Sequence, residues 1–163
     1  MTLHDYINTL SKEAQLKLAI RLAKLALPIW DNYAKKNKLA YHESVVGVKH
    51  TLIKDLLQET IETIESSSIL QNTDIPVENE DKLLLLYRQF SDPVIALQDN
   101  DWQLPDEVIQ TFYAVYNLID TIIDSRQIKF SGTSFYVSIN QAINALETSE
   151  TLTFDEINKL LEE

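Results

Sequence analysis

The chain has 163 residues, 45% of them hydrophobic, a formal net charge of −11, two glycines and no cysteine. Length and apolar content fit one ordinary globular domain over residues 1–163 and exclude wholesale disorder. The missing cysteine removes disulfides, thiolate nucleophiles and cysteine-held zinc or iron–sulfur sites, and two glycines are too few for the tight turns of a sheet-rich fold. The expected class is all-α, a bundle of about six or seven helices.

In chain order, Thr2 with Asp5 resembles a loose capping box for a first helical turn, and Ser11 is a candidate N-cap for a long helix. Leu16, Ile20, Ala23, Leu27 and Trp30 recur there at spacings of three and four, and the helix runs to about residues 35–37. Pro28 removes a backbone donor and is expected to kink or divide it. A second helix is expected over 42–65, where Val45, Val48, Leu52, Leu56, Ile61 and Ile64 keep the helical period and Gly47 is tolerated inside. Residues 66–78 read as the longest loop.

A helix follows over 79–90, then a short one to residue 98 with Asp92 as N-cap and Pro93 at the first helical position. Pro105 starts another helix, reaching about residue 126, whose two apolar ridges predict a central position packed on two sides. Gly132 marks a turn after a short extended stretch at 128–130, and Ser134 or Thr133 caps a helix to about residue 146. Thr153 and Glu156 form a capping box for a C-terminal helix.

Charge is unevenly spread. Residues 1–65 hold 9 Lys/Arg against 8 Asp/Glu, whereas residues 66–163 hold 5 against 17. A net acidic chain is a poor match for nucleic acid or an anionic membrane surface, both of which require basic footprints. The start, Met1-Thr2-Leu3-His4-Asp5, lacks the parts of a secretory signal, and the longest apolar run, 83–86 extended by Tyr87, is far below the ~20 residues of a membrane span. A cytoplasmic protein is expected. The basic stripe Lys17, Arg21 and Lys24 reads as a solvated face or as a partner for the chain's own acids.

Few chemistries survive inspection. His4, His42 and His50 occupy no metal-binding spacing, and neither a Gly-rich phosphate loop nor a GxSxG elbow is present. No catalytic residue, cofactor or metal ligand is therefore assigned. Asp120 and Asp124, at i and i+4, would suit Mg²⁺ in a metal-dependent enzyme acting on a phosphorylated small molecule, with Asp55, Glu59 and Glu62 as a second acidic set. The simpler expectation is that Asp106, Gln110, Tyr113, Asn117, Asp120 and Asp124 form one solvated polar stripe. Tyr87, Phe90, Phe112, Tyr113, Tyr116, Phe130, Phe135 and Tyr136 read mostly as core.

The loop 99–107 concentrates Asp99, Asp101, Asp106 and Glu107 around Trp102. Trp is a favoured interface anchor and acidic surroundings steer a basic partner; the competing expectation is that Trp102 folds back as a lid on the core. The stretch Leu16-Lys17-Leu18-Ala19-Ile20-Arg21-Leu22-Ala23-Lys24-Leu25-Ala26-Leu27-Pro28-Ile29-Trp30-Asp31-Asn32-Tyr33 resembles the opening of a group of bacterial all-helical families. The group includes uncharacterised cytoplasmic proteins and predicted immunity proteins of polymorphic toxin systems. The resemblance implies an all-α, toxin-neutralising role. The expected function is a non-enzymatic interaction module, an immunity-type inhibitor of a basic toxin, with Asp99, Asp101, Trp102, Asp106, Glu107, Asp120 and Asp124 as its partner-binding residues. A structural homodimer is a third reading.

Overall fold

The structure, a computed structural model, describes residues 1–37, 40–42, 49–51, 55–67, 80–99, 102–128 and 134–163. Within these lie eight helices: α1 (Leu3–Thr9), α2 (Lys12–Lys36), α3 (Leu56–Ser66), α4 (Glu80–Gln89), α5 (Ser91–Gln98), α6 (Asp106–Ile128), α7 (Tyr136–Thr148) and α8 (Phe154–Glu162). The all-α class expected from glycine scarcity holds. The buried apolar residues of these helices form one core cluster.

Local signals start several helices where the sequence places them. Thr2 Oγ1 accepts from the Asp5 N–H at 3.1 Å while Asp5 accepts in return from the Thr2 N–H, a reciprocal box. Ser11 caps α2 through the Ala14 N–H at 3.1 Å, and Thr153 with Glu156 closes the same box at α8. Each removes orphan donors that a helix N-terminus otherwise leaves to solvent. α2 runs unbroken through Pro28, so the expected division does not occur. The missing proline donor costs one backbone hydrogen bond, and burial of Leu22, Ala23, Ala26 and Trp30 around it offsets the loss.

The expected helix over 42–65 is corrected. Residues Ala40–His42 (β1) and Lys49–Thr51 (β2) pair antiparallel, with Tyr41 opposite His50, and helix begins only at Leu56. The segment is rich in β-branched residues (Val45, Val46, Val48, Thr51) and carries Gly47. Within the strands Tyr41 and Thr51 are residues that favour strand pairing, while the valines whose spacing suggested a helix lie outside the described residues. Gly47 lies outside the described residues, as does most of the loop expected over 66–78. α5 also starts two residues early, at Ser91 with only Phe90 separating it from α4, so Pro93 sits inside its first turn. Of the extended stretch expected at 128–130, Ile128 is instead the last residue of α6, and residues 129–130 fall outside the described residues, as does Gly132.

α2, α6 and α7 pack mutually at the centre; α3 and α4 lie against each other and against α6, and α1 against α7. Two polar residues stitch this centre. Gln15 is 2% exposed, donates to the Leu10 carbonyl at 3.1 Å and accepts from the Phe135 N–H at 3.1 Å, so one amide ties the end of α1 to the start of α7. Ser138, fully buried on α7, donates to the Ala114 carbonyl of α6 at 2.7 Å. Tyr6 closes the edge, its hydroxyl donating to the Leu161 carbonyl of α8.

Candidate functional site

The acidic segment after α5 is shaped by its own backbone. The Asp99 N–H bonds the Ile95 carbonyl at 2.9 Å and the Trp102 N–H reaches back to Ala96 at 3.1 Å, folding the chain over the end of α5. Trp102 is thereby carried inward. It is 6% exposed, with its ring edge-to-face on Trp30 (6.2 Å) and Phe112 (6.0 Å). Of the two expectations for Trp102, the lid folded back on the core is the one seen and the exposed anchor is not: an indole buries a large apolar area, and the aromatic pocket of α2 and α6 recovers it. The Pro105 carbonyl accepts from Val108 and Ile109 at 3.1 and 3.0 Å and opens α6.

The acids remain at the surface. Asp99 and Asp106 are exposed and Glu107 is half-buried. Asp106 and Glu107 occupy the first turn of α6, where negative charge meets the positive end of the helix dipole. Asp101 lies outside the described residues, and so does the Asp124 side chain, although Asp124 is within α6. The structure thus brings Asp99, Asp106 and Glu107 to one connection, while Asp120 sits more than three helical turns along α6.

The polar stripe of α6 is not the solvated face expected of it. From Glu107 to Ile123 no residue is exposed. α7 borders the stripe on one side, where Asn117 Nδ2 donates to Gln141 Oε1 at 2.7 Å. α4 borders it on the other, where the Tyr87 hydroxyl donates to Asp120 Oδ1 at 2.6 Å. That bond, with partial desolvation, pushes the Tyr87 phenol well above its ordinary pKa, because ionisation would place two negative charges side by side. Tyr87 and Tyr116 lie parallel with centroids 6.3 Å apart, Tyr113 stands at 68° to Tyr116 at 6.4 Å, and all three rings are half-buried. Burial also raises the Tyr113 phenol.

Among the described residues no three His, Asp or Glu side chains converge as a metal-ligand set. Asp55 stands at the N-terminus of α3, Glu59 and Glu62 are exposed on that helix, and Glu62 accepts from Gln58 at 2.9 Å. Asp55 instead faces Asp31: partial desolvation and this like charge hold the Asp31 carboxyl above its ordinary value. His4 packs edge-on against Tyr136 at 4.9 Å.

The basic stripe of α2 is occupied within the chain. Lys17 pairs with Glu13 at 2.8 Å, Arg21 with Glu163 at 2.5 Å and Lys24 with Glu65 at 3.0 Å. By contrast Asp92, Asp99, Asp106, Glu107 and Asp120 form no ion pair with a described residue. An open cleft of about 510 Å³ between α7 and α8 is lined by Glu147, Glu150, Leu152, Thr153 and Phe154.

Sequence reasoning missed Tyr87, Tyr116 and Gln141 as neighbours of the α6 stripe. The two tyrosines have core-like helical spacing, and nothing in one chain's sequence announces which helix borders α6. No family model, curated protein or solved structure matches the chain.

Proposed function

We propose that the chain is a non-enzymatic protein-interaction module whose acidic second half engages a basic protein partner, in the manner of an immunity-type inhibitor bound to a toxin. The observation that carries this reading is the asymmetry of charge satisfaction. Lys17, Arg21 and Lys24 of α2 are taken up by the chain's own carboxylates, while the carboxylates around the α5–α6 connection are left without a described cation. Unneutralised acids on one surface raise the encounter rate with a basic protein and disfavour acidic ones. Asp99, Asp106 and Glu107 form the steering surface, and Trp102 supports it from beneath by holding the loop against the core.

Co-expression with the products of adjacent open reading frames tests the reading. The expected outcome is a stable complex whose association slows at least about tenfold between low and high salt, with protection from toxicity where the partner is a toxin. Replacing Asp99, Asp106 and Glu107 by their amides is expected to slow association without changing the fold. Absence of both complex and protection overturns the reading.

A further inference from the structure

Asp120 occupies an unusual setting for a surface carboxylate. It is half-buried on α6, accepts one hydrogen bond at Oδ1 from a neutral phenol, and makes no other hydrogen bond or ion pair with a described residue. α4 carries Lys82 and Arg88, both exposed, and neither pairs with it. A partly desolvated anion is ordinarily matched by a cation or by several donors, because removing it from water costs free energy that one neutral hydrogen bond recovers only in part. Its donor Tyr87 lies with its ring parallel to that of Tyr116, four residues before Asp120 on α6, and Tyr113 is turned across Tyr116. Aromatic faces carry negative quadrupole charge, so carboxylate and rings favour the same kind of guest.

We infer that the recess formed by Tyr87, Tyr113, Tyr116 and Asp120 receives the guanidinium of an arginine side chain from the basic partner. Arginine satisfies both parts of the recess at once: its planar head stacks on an aromatic face while its N–H groups donate to Oδ2 of Asp120, which no described residue bonds. The Tyr87 hydroxyl keeps the carboxylate in one rotamer by holding Oδ1, which spares the incoming group part of the ordering cost. The inference rests on the proposed basic partner for the carrier of the arginine. The recess itself rests on side-chain geometry well along α6 from the acidic loop. The long-range steering would therefore come from Asp99, Asp106 and Glu107, and the short-range anchoring from Asp120 and the tyrosines.

The test uses the full chain with tyrosine-selective isotope labelling, titrated with argininamide and, in parallel, with the neutral analogue citrulline amide. Argininamide is expected to shift the ring signals of Tyr87, Tyr113 and Tyr116 saturably, and citrulline amide to leave them in place. Asp120→Asn, which keeps an acceptor for Tyr87, is expected to weaken argininamide at least about tenfold with an unchanged thermal melt. Tyr87→Phe, which keeps the ring and releases the Asp120 rotamer, is expected to weaken argininamide less than Asp120→Asn does. Equal response to the two amides, or full binding by Asp120→Asn, overturns the recess. If the recess fails while the co-expressed complex still forms and is slowed by the Asp99, Asp106 and Glu107 amides, the partner reading stands without it. Arginine binding with no co-expressed partner supports the recess and counts against that reading.

Discussion

On its inner side α6 meets α2 and α7 across a seam where buried polar atoms are paired: Gln15 spans two chain segments and Ser138 closes onto Ala114. On its outer side, between α4 and α7, the same helix presents Asp120 with one phenolic donor among the described residues and a row of half-buried tyrosines. The contrast separates two uses of polarity. Inside, an unpaired group costs about 1–3 kcal/mol, so polar residues are retained where both partners are in place. Outside, partial access to water permits a carboxylate that has no cation among the described residues.

The largest way to break the inner side is Phe112→Ala. This ring is fully buried and touches Trp30, Trp102 and Phe90, so its removal is expected to cost about 3–5 kcal/mol in urea unfolding. Because Trp102 loses its support, its fluorescence is expected to shift to the red in the folded variant. Gln15→Leu strands the Phe135 N–H and the Leu10 carbonyl and is expected to cost about 2–4 kcal/mol. On the outer side Asp120→Asn, measured in the same assay, is expected to change stability by less than about 1 kcal/mol. A cost for Asp120→Asn equal to that of Gln15→Leu would erase the distinction between the two sides.

The far end of α7 supplies a smaller effect. Glu150 has φ of 57°, where the Thr151 N–H returns to the Leu146 carbonyl and the Glu150 N–H to Glu147 in a Schellman ending. Glycine takes this conformation without a Cβ penalty, so Glu150→Gly is expected to stabilise by about 0.5–1 kcal/mol, seen as a rise of about 1–4 °C in melting temperature. Lys24→Met removes an exposed ion pair with Glu65 and is expected to cost no more than about 1 kcal/mol, an effect that fades in high salt. The smallest concerns pH. A carboxyl whose pKa is raised on folding contributes stability at low pH that is lost as pH rises through the folded value. Asp31 is such a group, so Asp31→Asn is expected to flatten the fall in stability above the ordinary carboxylate range, read from melts between pH 3 and 7.

Fold class, the capped helix starts at Thr2, Ser11 and Thr153, and the uneven charge were all legible in the chain itself. They depend on residues three or four apart, or on simple counts, and local chemistry of that kind survives without knowledge of neighbours. The pairing of β1 and β2 was not legible, since three residues on each strand are too few to show an alternating pattern and only the cross-strand partner reveals them. Trp102 has two readings in the sequence, anchor or lid. Its inward turn depends on Trp30, some 70 positions away in the chain, and on Phe112. The acids 99–107 could be located from sequence, but the recess around Asp120 could not, because Tyr87 reaches it from another helix.

The sequence by itself determined that this protein is helical, acidic in its second half and free of thiol chemistry, because composition and near-neighbour spacing carry those properties. Only the tertiary structure decided which charges the molecule neutralises for itself. The ion pairs Arg21–Glu163 and Lys24–Glu65 and the bond Tyr87–Asp120 join residues 142, 41 and 33 positions apart. Whether a carboxylate is satisfied depends on what packing brings within hydrogen-bond distance, and packing is a property of the whole core.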